Sequence, residues 1–289
     1  MLMLKKPKIA VPVVLFAGLI WSFGPLVVRY MNDPQLIPWQ YIFGRGLTIF
    51  ILLNLYLYFE EGKNFYKNYF KIGISGLLGG SGLGVAMICF MFSITNTSAA
   101  ITLLCLAAMP FFTALLAFLF LKEKISLNVW VSIIIASIGI SIMAMGNTSN
   151  TSFIGFIFGI TSSIGFSVFS VSLRWRKETP KFTTTAFAGF FCVVFASIMI
   201  LSKDLVFFSS SYNSALFSIH GTLVCLGLIL YSIGSKAIPA AELTLLSLTE
   251  VIGGIFWVWL PLFGINEIPA TNTIIGGFFL FISLTYYSL

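Results

Sequence analysis

The sequence predicts an all-α integral membrane protein in which ten transmembrane helices form two inverted five-helix repeats. Its composition, ten long apolar stretches and a resemblance between the two halves of the chain support this fold class. Of the 289 residues, 58% are hydrophobic and 9% are charged, whereas a soluble domain carries about 25% charged residues. So few charges cannot cover a surface that faces water. The composition therefore excludes a soluble enzyme, a disordered chain and a nucleic-acid-binding domain.

Ten apolar stretches follow one another along the chain with short polar connections. A helix needs about 20 apolar residues to cross a bilayer, and each stretch is a continuous apolar run rather than the alternating pattern of a membrane barrel. We interpret the first stretch as a retained helix rather than a signal peptide, because no cleavage site of small residues follows it. The predicted helices cover residues 9–30, 39–59, 72–94, 98–121, 127–145, 153–174, 182–201, 215–235, 240–263 and 271–287.

The distribution of Lys and Arg predicts how these helices are oriented. With the N-terminus in the cytoplasm, 13 basic residues lie in cytoplasmic segments and two, Arg29 and Lys203, lie on the opposite side. Cytoplasmic loops of membrane proteins carry such an excess of positive charge. We therefore expect both termini in the cytoplasm and a location in the bacterial inner membrane. Residues 147–152 become an extracytoplasmic linker between a repeat at 1–146 and a repeat at 153–289.

The ends of the first and sixth helices share a sequence pattern. The first helix ends in IWSFGPLVVRY and the sixth in GFSVFSVSLRW. Aligning Arg29 with Arg174 places Trp21 on Phe166. Each half therefore carries a large aromatic ring about two turns before an arginine that ends the helix.

A second pair of patterns aligns the fourth helix with the ninth. SAAITLLCLAAMP matches AAELTLLSLTEV when Ala99 is aligned with Ala240, and Glu123 or Glu267 follows near the end of each half. Because five is an odd number of helices, the second half must enter the membrane upside down relative to the first. Inverted repeats are typical of alternating-access transporters, whose substrate site lies between the repeats near the midplane. A duplication retained only for stability is the alternative.

Taken together, these patterns resemble ten-helix EamA-type members of the drug/metabolite transporter superfamily. The resemblance covers essentially the whole chain and includes Trp21, Arg45 in IFGRGLTIF, SAAITLLCLAAMPFFTALLAFLFLKEKIS and IPAAELTLLSLTEVIGGIFWVWLPLFGINEIP. It implies a secondary transporter, often an exporter, that moves amino acids, other small metabolites or drugs through a central cavity between the halves. The family commonly has Glu-Pro in the second-half motif, where this chain has Glu250-Val251. We therefore expect the ninth helix to hinge differently.

Glu250 is the main candidate for contact with a substrate. It lies near the middle of the ninth predicted helix, and an ionisable residue at that depth is rare and usually functional. It can exchange protons during transport or pair with a cationic substrate. The alternative is a structural carboxyl group that is hydrogen-bonded to Ser247 or Thr249.

Aromatic and hydroxyl side chains near the same depth complete the predicted cavity. Trp21, Phe166 and Trp257 are candidates for an aromatic wall, which favours planar or quaternary-ammonium substrates; ordinary packing is the alternative for each ring. The hydroxyl candidates are Ser22, Ser167, Thr102 and Ser247. We expect the substrate to be a small zwitterion or cation with an apolar body, such as an amino acid, an amine or a drug-like compound.

A further set of residues is expected to have structural or gating roles. Arg45 can bind a substrate carboxylate bidentately or bond to backbone carbonyls and fix the second helix, and we favour the structural role. His220, the only histidine, is placed near the outer interface as a solvated or structural residue. The other candidates are Pro25 and Pro110 as kink sites, Gly80 and Gly84 as close helix contacts, and Glu242 as a charge that pairs or gates at the cytoplasmic start of the ninth helix.

The sequence argues against other classes of membrane protein. One histidine cannot supply a zinc protease motif, and the four cysteines match no metal-binding spacing, so we predict no enzyme activity, metal or cofactor. The chain lacks the phosphate-binding GxxxxGK[ST] motif, which indicates transport driven by gradients rather than ATP. A channel or a non-transporting membrane scaffold is the main alternative. Because one chain holds both repeats, we expect a monomer to suffice.

Overall fold

The computed structural model describes residues 7–145, 153–176, 178–265 and 267–288. All regular secondary structure in these residues is helical, which confirms the predicted all-α class. The linker predicted at 147–152 lies outside the described residues. The described α-helices are α1 (Pro7–Trp21), α2 (Gly24–Arg29), α3 (Pro38–Glu61), α4 (Gly73–Asn96), α5 (Ala99–Leu106), α6 (Met109–Leu116), α7 (Leu127–Met145), α8 (Phe153–Trp175), α9 (Lys181–Ser202), α10 (Ser211–Gly234), α11 (Ala240–Leu246), α12 (Thr249–Trp259) and α13 (Thr271–Ser288).

Eight segments of the described chain are long and apolar enough to cross a membrane. Two further apolar helices, Leu127–Ile142 within α7 and Ile274–Tyr286 within α13, are shorter. Each apolar stretch expected from the sequence therefore falls on a helix, and eight stretches reach the length of a full span. The eight are Ile9–Arg29, Pro38–Lys71, Gly73–Asn96, Ala99–Leu121, Phe153–Trp175, Lys181–Ser202, Ser211–Gly234 and Ala240–Trp259.

Two of these segments are interrupted just before a proline. α1 ends at Trp21 and α2 begins at Gly24, with Pro25 in the first turn of α2. In the same way, α5 ends at Leu106 and α6 begins at Met109, with Pro110 in the first turn of α6. A proline has no N–H to donate and its ring clashes with the preceding turn, so the helix stops and restarts there.

A third segment is interrupted without a proline, between α11 and α12. The Ser247 hydroxyl donates to the carbonyl oxygen of Thr244 at 2.8 Å, and the Thr249 hydroxyl donates to that of Leu246 at 3.2 Å. Hydroxyls that bond back to the preceding turn bend helices. The ninth predicted helix therefore has a break although the Glu-Pro pair is absent.

Long helices of one half of the chain pack along helices of the other half. α4 packs along α8, α3 along α9, α1 along α10 and α7 along α13. Glycines permit the closest approach between α3 and α9. A Cβ atom at Gly46 would lie 3.1 Å from the carbonyl oxygen of Gly189, and one at Gly189 would lie 2.9 Å from that of Gly46. Small residues let membrane helices meet backbone to backbone.

The glycine face of α4 also packs against α9. A Cβ atom at Gly80 would lie 2.8 Å from the carbonyl oxygen of Thr184, and one at Gly84 would overlap the ring of Phe191. This is the close contact that small-xxx-small spacing permits. A sliding role for the same face stays a prediction.

Candidate functional site

A central cavity lies between helices from both halves of the chain. Its volume is about 70 Å³, which is space for a few water molecules. Most of its wall is apolar, and most of the lining residues come from α4, α8 and α10. The lining residues are Trp21, Arg45, Leu83, Ala86, Met87, Phe90, Leu106, Met109, Ser162, Phe166, His220, Val224, Leu228 and Glu250.

Arg45 carries the positive charge of this cavity and is held firmly in place. One terminal nitrogen, Nη2, donates to the carbonyl oxygen of Met87 at 2.8 Å, and Nη1 donates to the Tyr41 hydroxyl at 3.3 Å. The Tyr41 hydroxyl is also hydrogen-bonded to Nδ1 of His220. Because a guanidinium group has five N–H donors in a planar fork, Arg45 keeps donors for a further partner. It therefore links α3 to α4 and still faces the cavity.

Glu250 brings a carboxyl group from the first turn of α12. Arg45 is near enough to act on it electrostatically, but the two ion pairs found among the described residues are elsewhere. The suggested hydroxyl partners are also engaged, because Ser247 donates to Thr244 and Thr249 donates to the carbonyl oxygens of Leu15 and Leu246. Within the described chain, the Glu250 carboxylate faces the cavity with no hydrogen-bond partner.

Trp21 and Phe166, the aromatic pair aligned by the repeat pattern, meet in this cavity. Their ring centroids are 5.7 Å apart in an edge-to-face arrangement, a geometry that aromatic pairs prefer. Tyr231 contacts both rings, and its hydroxyl bonds to that of Ser170 at 2.6 Å. The Trp21 indole also donates to the carbonyl oxygen of Val224 at 3.2 Å. These rings form a packed aromatic layer on one side of the cavity.

The other predicted binding residues lie outside the cavity wall. Trp257 donates to the Ser22 hydroxyl at 2.7 Å and stacks on Phe23, with centroids 4.6 Å apart. Ser167 donates to the carbonyl oxygens of Met109 and Ser163. Thr102 bonds to the hydroxyls of Ser93 and Thr97, and Ser247 bonds within its own helix. These polar groups have partners in the protein and are not brought to the central cavity.

His220 lies deeper than the sequence suggested. It was expected near the outer interface, but it is 3% exposed and lines the cavity. The reason is that α10 begins at Ser211, four residues before the predicted stretch, because the Ser210 side chain accepts a hydrogen bond from the Asn213 N–H at 3.1 Å. With this N-cap, His220 is the tenth residue of α10 rather than the sixth residue of the predicted stretch. Glu242 stands in the first turn of α11, away from the described cavity wall.

Two ion pairs connect the halves of the chain, and neither pairing was predicted. Nε of Arg29 donates to Oε2 of Glu267 at 3.0 Å, and the Ala99 N–H donates to the other carboxylate oxygen at 3.2 Å. Here the carboxylate receives both an arginine and the first N–H of α5. Negative charge is favoured at that position by the orphan N–H groups of a helix N-terminus.

The second ion pair repeats this arrangement with the halves exchanged. Nε of Arg174 donates to Oε1 of Glu123 at 2.7 Å, and the Ala240 N–H donates to Oε2 at 3.3 Å. The carboxylate again joins an arginine that ends one helix to the first N–H of another, in this case α11. The repeat alignment pairs Arg29 with Arg174 and Ala99 with Ala240, so corresponding residues contact the glutamate in both ion pairs.

Similarity to known proteins agrees with this architecture. Residues 8–145 match the EamA-like transporter family. The predicted resemblance is therefore confirmed, and the family is one of membrane transporters rather than enzymes.

Two Helicobacter pylori proteins, each named an uncharacterized transporter, are similar to this chain. The protein from strain J99 is 27% identical over 175 residues, which are 58% of this chain and 56% of that relative. The protein from strain 26695 is 23% identical over 263 residues, which are 86% of this chain and 84% of the relative. The chain thus spans only about half of the first relative's length, and most of the second.

A solved crystal structure has the same fold. It superposes with a TM-score of 0.72 at 15% sequence identity, covering 96% of each chain. Identity this low supports the fold alone. The chain is therefore a multi-pass helical membrane protein with the fold of that structure and transporter relatives in bacteria.

Proposed function

We propose that the chain is a secondary active transporter of the bacterial inner membrane that exports a small metabolite. The observation that carries this proposal is the central cavity, in which Arg45 and Glu250 face an otherwise mostly apolar wall without forming an ion pair. Two opposite charges in one apolar cavity are costly unless they find partners. A ligand that supplies both partners would be stabilised there.

The chemistry of the wall favours a zwitterion with an apolar body, such as an amino acid. A substrate carboxylate can accept from the free N–H groups of Arg45, since Arg binds carboxylates through paired hydrogen bonds. A substrate ammonium group can donate to Glu250. Trp21, Phe166 and the aliphatic wall would then cover the apolar side chain. An amine or a drug-like cation could use Glu250 but would leave Arg45 without a partner.

Transport would proceed by alternating access of two inverted five-helix repeats, at 1–146 and 153–289. Contacts between corresponding helices of the two halves support this mechanism. Trp21 contacts Phe166, and Gly46 contacts Gly189 across the α3–α9 interface. The packing of α4 on α8 has a counterpart in the packing of α1 on α10. Inverted halves supply two related conformations, one open to each side. Since both halves belong to one chain, a monomer would be the transporting unit.

Ligand-dependent thermal stability tests this proposal. A ligand that binds only the folded state raises its stability, by about 2.7 kcal/mol at a hundredfold excess over Kd. We expect at least one amino acid to raise the melting temperature of the purified protein. Glu250→Gln and Arg45→Gln should each abolish that shift, since each removes one ionic partner.

Glu242→Gln is the matched control, because this carboxyl group precedes the same helix break but lies away from the cavity wall. The control should keep the full ligand-induced shift. Equal shifts in the wild type, Glu250→Gln and Arg45→Gln would mean that the ligand binds elsewhere, and the cavity assignment would be wrong.

A further inference from the structure

We propose that Glu267 and Glu123 are the two gating residues of the transporter, each closing one end of the central cavity. This inference rests on the proposed transport function and names the groups that control access to its site. Each glutamate comes from one half of the chain and bridges two elements of the other half. Opening one end of the cavity would require its bridge to break while the opposite bridge stays intact.

The first bridge joins three separate segments. Glu267 precedes α13, Arg29 ends α2, and Ala99 begins α5. Both carboxylate oxygens are used, at 3.0 Å to Arg29 and 3.2 Å to the Ala99 N–H. Arg29 also donates to the carbonyl oxygen of Ile94 at 3.4 Å, near the end of α4. Separation of the halves here would break the glutamate's bonds to both partners at once.

The second bridge has the same design. Glu123 follows α6 and binds Arg174 at 2.7 Å and the Ala240 N–H at 3.3 Å. Arg174 donates in addition to the carbonyl oxygens of Ser235 and Ile238, at 3.1 and 2.8 Å. These two carbonyls belong to the segment that leads from α10 into α11. The bridge therefore gathers the ends of three helices from the second half around a glutamate from the first.

The two bridges lie at opposite ends of the molecule. Arg29 touches α4 at Ile94, whereas Ser75, near the start of α4, is hydrogen-bonded to Thr179, just after the helix that carries Arg174. A helix rises 1.5 Å per residue, so Ser75 and Ile94 are separated by about 28 Å. That distance is close to the thickness of the apolar part of a bilayer. One bridge thus stands at each membrane face.

An aromatic layer separates each bridge from the cavity. Towards Arg29, Trp257 stacks on Phe23 and bonds to Ser22. Towards Arg174, Tyr231 packs against Trp21 and Phe166. The cavity that these rings adjoin has a volume of about 70 Å³. Both bridges are formed in this structure.

The exposure of the bridges suits contacts that break and re-form. The side chains are 24% and 30% exposed for Arg29 and Glu267, and 25% and 21% exposed for Arg174 and Glu123. A fully buried ion pair is strongly destabilised when one charge is left alone, and a fully exposed pair contributes little. At intermediate exposure, water can solvate the separated charges, while the closed geometry is still favoured by charge-assisted hydrogen bonds.

Accessibility of a cysteine in the cavity tests the proposal without any substrate. Val224→Cys places a thiol in the cavity wall, and the four native cysteines are buried and provide the background. A membrane-impermeant thiol reagent is added to intact cells and, separately, to inside-out vesicles, so that each preparation exposes one face. Labelling rates are then compared for Glu267→Gln and Glu123→Gln in this Val224→Cys protein.

We expect each variant to raise the labelling rate from its own face by about tenfold or more, so that the two variants respond in opposite preparations. Asp33→Asn and Glu178→Gln remove a carboxylate from other connecting segments and should label like the parent protein. Arg29→Gln and Arg174→Gln should reproduce the direction seen with Glu267→Gln and Glu123→Gln.

An increase from the same face in both variants, or unchanged rates in both, would overturn the gating assignment. Melting temperatures of all variants separate gating from loss of fold, because a partly unfolded variant would label equally from both faces, and that result also contradicts the proposal. The ligand-shift experiment on Glu250 and Arg45 is independent of these rates. If the ligand-shift experiment failed, the proposed substrate site would be wrong, but the accessibility result would still hold.

Discussion

Arg45 illustrates how one residue can be held in a fixed position and still line a cavity. The sequence offered these roles as alternatives, and a structural role was favoured. In the structure, its bonds to the Met87 carbonyl and the Tyr41 hydroxyl fix the guanidinium group, and its remaining donors face the cavity. A preorganised charge of this kind loses little conformational freedom when a carboxylate binds.

Tyr41 is therefore expected to control ligand affinity through Arg45. Tyr41→Phe removes the hydroxyl that contacts both Arg45 and His220. Hydrogen bonds to charged groups contribute about 1.5–3 kcal/mol, so we expect the Kd of a stabilising amino acid to rise by about tenfold. Isothermal titration calorimetry on the purified protein measures this.

Tyr30→Phe is the control for this substitution, since its hydroxyl bonds to the carbonyl oxygen of Phe263 at an exposed site. It should bind the amino acid like the wild type. If Tyr41→Phe also kept the wild-type Kd, Arg45 would not depend on Tyr41 for its binding geometry.

The sequence pointed to several cavity residues but missed Tyr41, which contacts the cavity residues Arg45 and His220. Glu250 and Arg45 stood out because charges are rare in apolar stretches, and Trp21 and Phe166 stood out because the repeats align them. Tyr41 carried no such signal, since it is one of 10 tyrosines in a chain with 31 phenylalanines. Its role depends on two partners, one of them far away in sequence.

At the scale of helices, apolar length located the elements well, but local polar groups set their ends and breaks. The start of α10 depends on the Ser210 cap, and this local detail decides whether His220 lies at an interface or in the cavity. The break at Ser247–Leu248 arises from hydroxyl bonds rather than from a proline. Hydropathy averages over a whole span and does not resolve either feature.

The α3–α9 contact is expected to tolerate no side chain at its centre. Gly189→Ala would bring a methyl group within 2.9 Å of both the Gly46 carbonyl oxygen and the Phe50 backbone nitrogen. Overpacking typically costs about 1–3 kcal/mol, so we expect a lower melting temperature in detergent. Differential scanning fluorimetry measures this loss.

Ile198→Ala in the same helix is the control, because Ile198 is 58% exposed. It should leave the melting temperature nearly unchanged. Equal melting temperatures for Gly189→Ala and the wild type would show that α3 and α9 can separate without loss of stability.

For the whole molecule, the pairing of the two halves is the feature that sequence alone could not supply. The alignment matched Arg29 with Arg174 and identified Glu123 and Glu267, but it gave no reason to join Arg29 to a glutamate of the other half. Contacts between residues so distant in sequence depend on how the halves dock. The structure shows that each arginine pairs with a glutamate of the other half. The proposed gating roles depend on these two pairs.

We propose that a zwitterion binds between Arg45 and Glu250 and is carried across the membrane. Counterflow in proteoliposomes, with an amino acid as the labelled substrate, is the measurement that tests this proposal. The competitors are the unlabelled amino acid, the amine that lacks its carboxylate and the acid that lacks its ammonium group. We predict that the amine and the acid each compete at least about tenfold more weakly than the amino acid, since each leaves one cavity charge without a partner. An amine or an acid that competes as well as the amino acid would contradict the account, because one of the two charges would then make no contact with the substrate.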